Sequence, residues 1–354
     1  MQACYHTYMY GSKPLMEEPA LKPEMLDIAR EIVRTSLVWD NHACMPLRPE
    51  DHSFLPQLED VRASGVNVIS LNVGFGPQGP DEHLAMLDSF STWVSSHSDD
   101  YLLIQSIADV ETAQKSKRLG VMFDVEGMVP LDNGRIDLVE AFRTRGVGWM
   151  LVAYNRNNDA GGGCAEEEDL GLSTYGRKVI AEMNRVGMIV CCSHTGHRTA
   201  MEVMEASCDP VIFSHSNAKA IWDHYRNIPD ELIKACAATG GVVGVNGLSS
   251  FLGNRDASPG RVAEHIDHMV QLVGPAHVGI GLDYVFDRKE LEEYLATMKE
   301  TFPNDASLQE PMDFAHPSQM AEIAAHLLER GYSDSDVRLI LGGNWLRVAA
   351  AVWR

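Results

Sequence analysis

The chain has 354 residues, 45% of them hydrophobic, which is enough to bury a large core as one big α/β domain or two ordinary ones. Twenty-nine basic against 50 acidic residues leave a formal charge of −21, which repels phosphate backbones and anionic lipid and argues against nucleic acid or a membrane surface as partner. The first twenty residues, MQACYHTYMYGSKPLMEEPA, have no basic segment leading into an apolar run, and seven cysteines are an odd number in a chain too long to need a disulfide framework, so a cytoplasmic setting is expected.

Residues 1–36 read as a lead-in that ends in a helix over MLDIAREIVRTS, 25–36. From residue 37 on, eight short β-rich runs follow: LVWDNHA (37–43), GVNVISLNVG (65–74), LGVMFDVEG (119–127), VGWMLVAYN (147–155), GMIVCCSHT (187–195), PVIFSHSN (210–217), GGVVGVNGL (240–248) and HVGIGLDYV (277–285). Between them, helical periodicity covers GRKVIAEMNRV (176–186), DELIKACAAT (230–239) and RVAEHIDHMVQLV (261–273), with apolar residues three and four apart. Strands that are mostly continuous apolar runs are buried on both faces, as parallel strands under helices must be. Eight of them predict a (β/α)8 TIM-like barrel over residues 37–354 as a single domain, with no interdomain linker and no longer repeat. An open doubly wound sheet is the alternative, and the lack of G-x-G-x-x-G after the first strand counts against it.

In such a barrel the chemistry sits at the C-terminal rim, so the residues that close the strands are weighed together. The first strand ends at His42 and Cys44, the third at Glu126, the fourth at Tyr154 and Asn155, the fifth at His194, the sixth at His215 and the eighth at Asp283. His194 and His215 are 21 residues apart, one helix plus one strand, which sets them at one level on neighbouring strands. Singly, each has an ordinary structural explanation: a helix cap for Glu126, a turn anchor for Asp283, a carbonyl partner for His42. Together, three imidazoles, two carboxylates and a thiol aimed into one mouth are the donor types that hold divalent zinc. His197 begins the next helix and His224 lies on a loop, so both are reserve ligands. His265 and His268 lie on the outer helix 261–273, where a solvated or interface role is expected, and Asp99 with Asp100 reads as a turn.

With those strand ends in view, the chain resembles the membrane dipeptidase (renal dipeptidase) family of metallopeptidases, in particular its soluble bacterial-type members. The resemblance is carried by FDVEG (123–127), YNRNNDAGGGC (154–164), DLGLSTYGRKVIAEMNRVGMIVCCSHT (169–195), PVIFSHSNAKAI (210–221), RNIPDELI (226–233), HVGIGLD (277–283) and ILGGNWLRV (340–348). It implies a (β/α)8 barrel with two zinc ions per chain: Glu126 bridging them, His194 and His215 on one, His42 on the other. Asp283 would handle the proton, and Arg226 would hold the terminal carboxylate of the substrate. The implied reaction is cleavage of a dipeptide amide by metal-bound hydroxide, in a protein that can pair as a homodimer.

Two positions depart from the family's pattern. Its first motif is His-x-Asp, whereas this chain has His42-Ala43-Cys44. A thiolate is a good zinc ligand but softer and shorter in reach than a carboxylate, so Cys44 is either a ligand or a bystander, and one ion becomes an alternative to two. After strand four, Tyr154 stands where the family has a histidine against the substrate, with Asn155 beside it as a second substrate contact; a phenol can still donate to an oxyanion. These departures keep two other readings open: a tailoring enzyme or amidohydrolase acting on a non-dipeptide substrate, and a metal-poor barrel that only binds.

Overall fold

Along Leu119–Glu126, successive side chains point to opposite sides, as they must in a strand. Val121, Phe123 and Val125 face a core shared with the helices, while Met122, Asp124 and Glu126 face the barrel interior. The inward set therefore changes from thioether at the floor to carboxylate at the rim. The computed structural model, which describes residues 21–303, 306–308 and 311–354, repeats this arrangement around a ring of parallel strands.

Ten strands occur among the described residues: β1 (Trp39–Cys44), β2 (Val68–Phe75), β3 (Tyr101–Leu103), β4 (Leu119–Glu126), β5 (Val147–Leu151), β6 (Ile189–Cys191), β7 (Val211–Ile212), β8 (Val243–Val245), β9 (Val278–Ile280) and β10 (Tyr284–Val285). One sheet runs β10-β1-β2-β4-β5-β6-β7, with β3 paired to the first residues of β4 before β5 takes over that edge. β8 and β9 pair with each other, and backbone bonds join them to the rest. On one side Gly244 N–H donates to Phe213 O at 2.7 Å; on the other Asp283 N–H donates to His42 O at 3.0 Å. These bonds complete the barrel expected from the sequence. The join is tight: a Cβ on Gly244 would lie 2.2 Å from Ser214 O, and one on Gly281 2.0 Å from the same oxygen, so both positions require glycine.

The outer layer forms by ordinary helix signals. In Thr174–Val186, Ser173 Oγ accepts from Gly176 N–H at 2.9 Å, Val179, Ile180 and Met183 make the buried stripe, and Gly187 ends the helix in the left-handed region at φ 73°. The C-terminal helix Asn344–Val352 brings Trp345, Val348 and Val352 against Trp39, Met122 and Trp149, an apolar plug at the floor. At the start of the described chain, Pro23–Thr35 packs on Met320–Glu329; the first twenty residues of the predicted lead-in lie outside the described residues. No described helix is long and apolar enough to cross a membrane.

Three sequence expectations need correction or refinement. The predicted strand 277–285 is two short strands, β9 and β10, because Asp283 adopts φ 57° between them and breaks the ladder. β3 has no counterpart among the predicted strands, since three residues give too short an alternation to stand out from the flanking helices; Asp99 and Asp100 do form the turn that leads into it. His265 is fully buried rather than solvated: Nδ1 accepts from Ala218 N–H at 3.1 Å and Nε2 donates to Leu252 O at 3.0 Å, tying the helix Pro259–Val273 to the loop at Ala218 and to the short helix Ser249–Leu252. His268, half-buried, meets Asp230 Oδ1 at 2.8 Å.

Candidate metal centre

His42 and Cys44 rise from β1 and Glu126 from β4, while His194, His215 and Asp283 sit just beyond β6, β7 and β9. All six reach one small volume at the rim. Around Glu126 Oε1 lie Nε2 of His215 at 3.2 Å, of His194 at 3.5 Å and of His42 at 3.6 Å. Asp283 Oδ1 is 3.4 Å from His42 Nε2, and Cys44 Sγ is 3.5 Å from Asp283 Oδ1 and 3.6 Å from His42 Nε2. Two compact donor sets result, His42-Glu126-His215 and His42-Cys44-Asp283.

Each imidazole is held from behind. His42 Nδ1 donates to Asp124 Oδ2 at 3.3 Å, His194 Nδ1 donates to Asn155 Oδ1 at 2.8 Å, and His215 Nδ1 meets Ser214 Oγ at 2.8 Å. Nε2 of every ring is thereby turned to the cluster, the orientation that outer hydrogen bonds impose on metal-binding histidines. Asp124 in turn accepts from Asn72 Nδ2 at 3.2 Å and from Ser70, and Asn246 Nδ2 donates to Asp283 Oδ2 at 2.7 Å. Asp124, Ser214 and Asn246 are absent from the residues picked out by sequence. For Asp124 a signal existed, because FDVE places a second carboxylate two residues before Glu126 on the same strand face. Asn155, His194 and Asp283 all have left-handed backbone, at φ 58°, 61° and 57°. That conformation is disfavoured for residues with a Cβ, least so for Asn and Asp, and gathers at functional sites.

Burial governs the charges here. It pushes Glu126 up to about 8, and with help from the Arg226 charge it holds His194 well below the ordinary imidazole range. Burial and the charge on His42 do the same to His215, so both rings are neutral, the form that binds a metal. For His42 burial opposes the charged form, but Asp124 and Glu126 outweigh it and raise the ring well above its usual value. Burial raises the Cys44 thiol, so the group ionises only beside a cation. Asp283 resists its burial: the hydrogen bond with His42 and the charges of His42 and Arg226 hold it below the usual carboxylate range. Glu126 Oε1 is buried and satisfies no hydrogen bond among the described residues, a costly state for a carboxylate oxygen that a cation relieves. The nitrogen, oxygen and sulfur donors of the two sets fit zinc.

A pocket opens over the cluster, with Cys44, Glu126, Asp283, His194, Tyr154 and Arg226 at its inner end. The Tyr154 ring stacks on His194 with centroids 4.0 Å apart, and burial keeps its phenol protonated. Arg226 is 3% exposed; Nη2 donates to His215 O at 3.3 Å, the guanidinium lies 5.2 Å over Phe251, and Nε has no hydrogen-bond partner among the described residues. Asn155 borders the pocket, with its Oδ1 already committed to His194. Of the reserve ligands, His197 pairs with Glu231 at 3.4 Å at a helix start, and His224 accepts the Arg226 N–H at 3.1 Å; neither joins the cluster.

The profile of the membrane dipeptidase family, peptidase family M19, matches residues 29–298. The chain belongs to the membrane dipeptidase family. Dipeptidase aclJ of Aspergillus oryzae is 31% identical over 265 residues, covering 73% of this chain and 58% of that protein, so the chain spans less than two thirds of this curated relative. An amidohydrolase from Pseudomonas aeruginosa superposes with a TM-score of 0.83 over 92% of this chain and 99% of its own, at 29% identity. A metallopeptidase from Rhodobacter sphaeroides, solved with a phosphinate mimic of the dipeptide L-Ala-D-Ala, shares the fold with a TM-score of 0.74 over 90% of this chain and 100% of its own, at 19% identity. Cys44 and Tyr154 both line the rim pocket.

Proposed function

We propose that this protein is a zinc-dependent dipeptidase working at the rim cluster. The observation that carries the reading is the convergence of three Nε2 atoms on Glu126 Oε1, a buried oxygen that satisfies no hydrogen bond among the described residues. His194, His215 and Glu126 would hold one ion, and His42, Cys44 and Glu126 a second beside Asp283, within a single catalytic barrel of residues 37–354. Zinc held by these residues would supply Lewis-acid activation of the attacking water and of the scissile carbonyl.

The side chains supply the rest. Arg226 takes the substrate's terminal carboxylate through the planar fork of its guanidinium, a role supported by its buried Nε, which has no partner among the described residues. Asp283, with Oδ2 pinned by Asn246, presents Oδ1 to the cluster; it accepts the proton of the attacking water and returns it to the leaving amine. Tyr154 donates its hydroxyl to the oxyanion of the tetrahedral intermediate. Asn155 fixes the His194 ring and borders the substrate. The dipeptide mimic bound by the Rhodobacter sphaeroides metallopeptidase supports a substrate of this kind.

Protein stripped by a chelator and reloaded with zinc is expected to hydrolyse dipeptides of L or D configuration at the C-terminal residue, and the stripped protein to be inactive. Full zinc loading without cleavage of any dipeptide would defeat the reading. Cys44 favours one second reading, an amidohydrolase or tailoring enzyme with a single firmly held ion and a non-dipeptide substrate. One ion per chain with poor dipeptide turnover would mark it.

A further inference from the structure

We propose that the C-terminal residue of the substrate carries a bulky, uncharged apolar side chain, received by the wall that Leu248, Phe251, Leu308 and Phe314 form with the helix Arg288–Thr297. This rests on the dipeptidase reading above and adds the substrate class. The pocket's lining continues outward from the polar inner end along Leu248, Phe251, Leu291, Leu295, Leu308 and Phe314. Beyond its polar inner end the surface is mostly hydrocarbon. Leu291 and Leu295, one helical turn apart on Arg288–Thr297, line it, and that helix buries no residue completely. Their apolar faces thus border the pocket without being sealed into a core, and covering them is favourable.

Charge points the same way. Outside the inner end, Glu290 is the charged group among the described residues lining the pocket, and it is already engaged: Oε2 accepts Leu47 N–H at 3.2 Å and Oε1 faces Arg48 at 3.8 Å. A charged substrate side chain would be desolvated there without a partner. Position follows from connectivity. The Cα of a C-terminal residue bears both the carboxylate and the side chain, so a carboxylate on Arg226 leaves the side chain close by. Phe251, packed 5.2 Å from the Arg226 guanidinium, belongs to this apolar wall.

The test is calorimetric binding of phosphinate dipeptide mimics to the full zinc-loaded chain, the mimics differing only in the C-terminal side chain: methyl, isobutyl or carboxymethyl. Isobutyl is expected to bind at least about ten-fold tighter than methyl, since each buried methylene adds to affinity, and carboxymethyl weaker than methyl. In Leu291→Ala/Leu295→Ala, and separately in Phe314→Ala, the isobutyl-to-methyl ratio should fall several-fold. Equal or undetectable binding, a carboxymethyl preference, or a ratio untouched by both variants would overturn the inference. So would a preference that appears only with the bulky group on the N-terminal residue. Because binding is read without turnover, failure to cleave dipeptides would defeat the parent reading while leaving this ratio to decide the inference.

Discussion

Asp124 never faces the pocket, yet it joins Ser70, Asn72 and His42 in one buried network below the cluster. Its role is to fix which nitrogen of His42 faces the cluster. Loss of such an outer partner typically weakens metal binding 10–100-fold, so Asp124→Asn should lower zinc affinity by about that factor in a competition titration. His215→Ala, which removes a donor atom itself, should lower it further; equal effects from the two would contradict the division into ligand and orienting residue. Cys44 is tested by cadmium. If its sulfur is a ligand, the cadmium-loaded protein absorbs in the ultraviolet through sulfur-to-metal charge transfer, and Cys44→Ser abolishes the band while Cys164→Ser keeps it. A spectrum unchanged in Cys44→Ser would make Cys44 a bystander.

Among the elements, the helix Pro259–Val273 depends on a histidine that looks solvent-facing in the sequence pattern. His265 accepts from Ala218 and donates to Leu252, an arrangement available only to the neutral ring, and burial pushes its pKa down to about 4. In the unfolded chain the same ring titrates near about 6.5. Between these values the unfolded state binds more protons, so this contribution to stability is full above about pH 6.5 and is lost as the pH falls toward about 4. The loss reaches up to about 3 kcal/mol. Denaturant midpoints at pH 7.5 and 5 should therefore diverge less in His265→Gln than in the parent chain, and identical divergence would refute the assignment. The strands teach a related lesson. β4 was readable because a floor-to-rim change of residue type runs along one face, whereas the break between β9 and β10 was not, since HVGIGLDYV carries an unbroken β pattern through Asp283. A left-handed residue in a strand-like run leaves no trace in periodicity.

For the whole molecule, what could be read was the convergence itself. Each reactive residue closes a strand, and a parallel barrel brings strand ends to one rim, so His42, Cys44, Glu126, His194, His215 and Asp283 could be grouped before any contact was known. Ser214 and Asn246 could not, because an uncharged polar residue declares a role only through its neighbours in space. The apolar wall over the pocket was equally hidden, being assembled from Leu248, Phe251, Leu291, Leu295, Leu308 and Phe314, from segments with no shared pattern.

Anomalous diffraction at the zinc edge, from crystals of the reloaded protein, bears most directly on the central claim. The expected map has a peak within about 2.0–2.2 Å of Nε2 of both His194 and His215 and of Glu126 Oε1, with any second peak beside His42 and Cys44. Zinc bound elsewhere, or an empty rim with the three rings still gathered around Glu126, would contradict it.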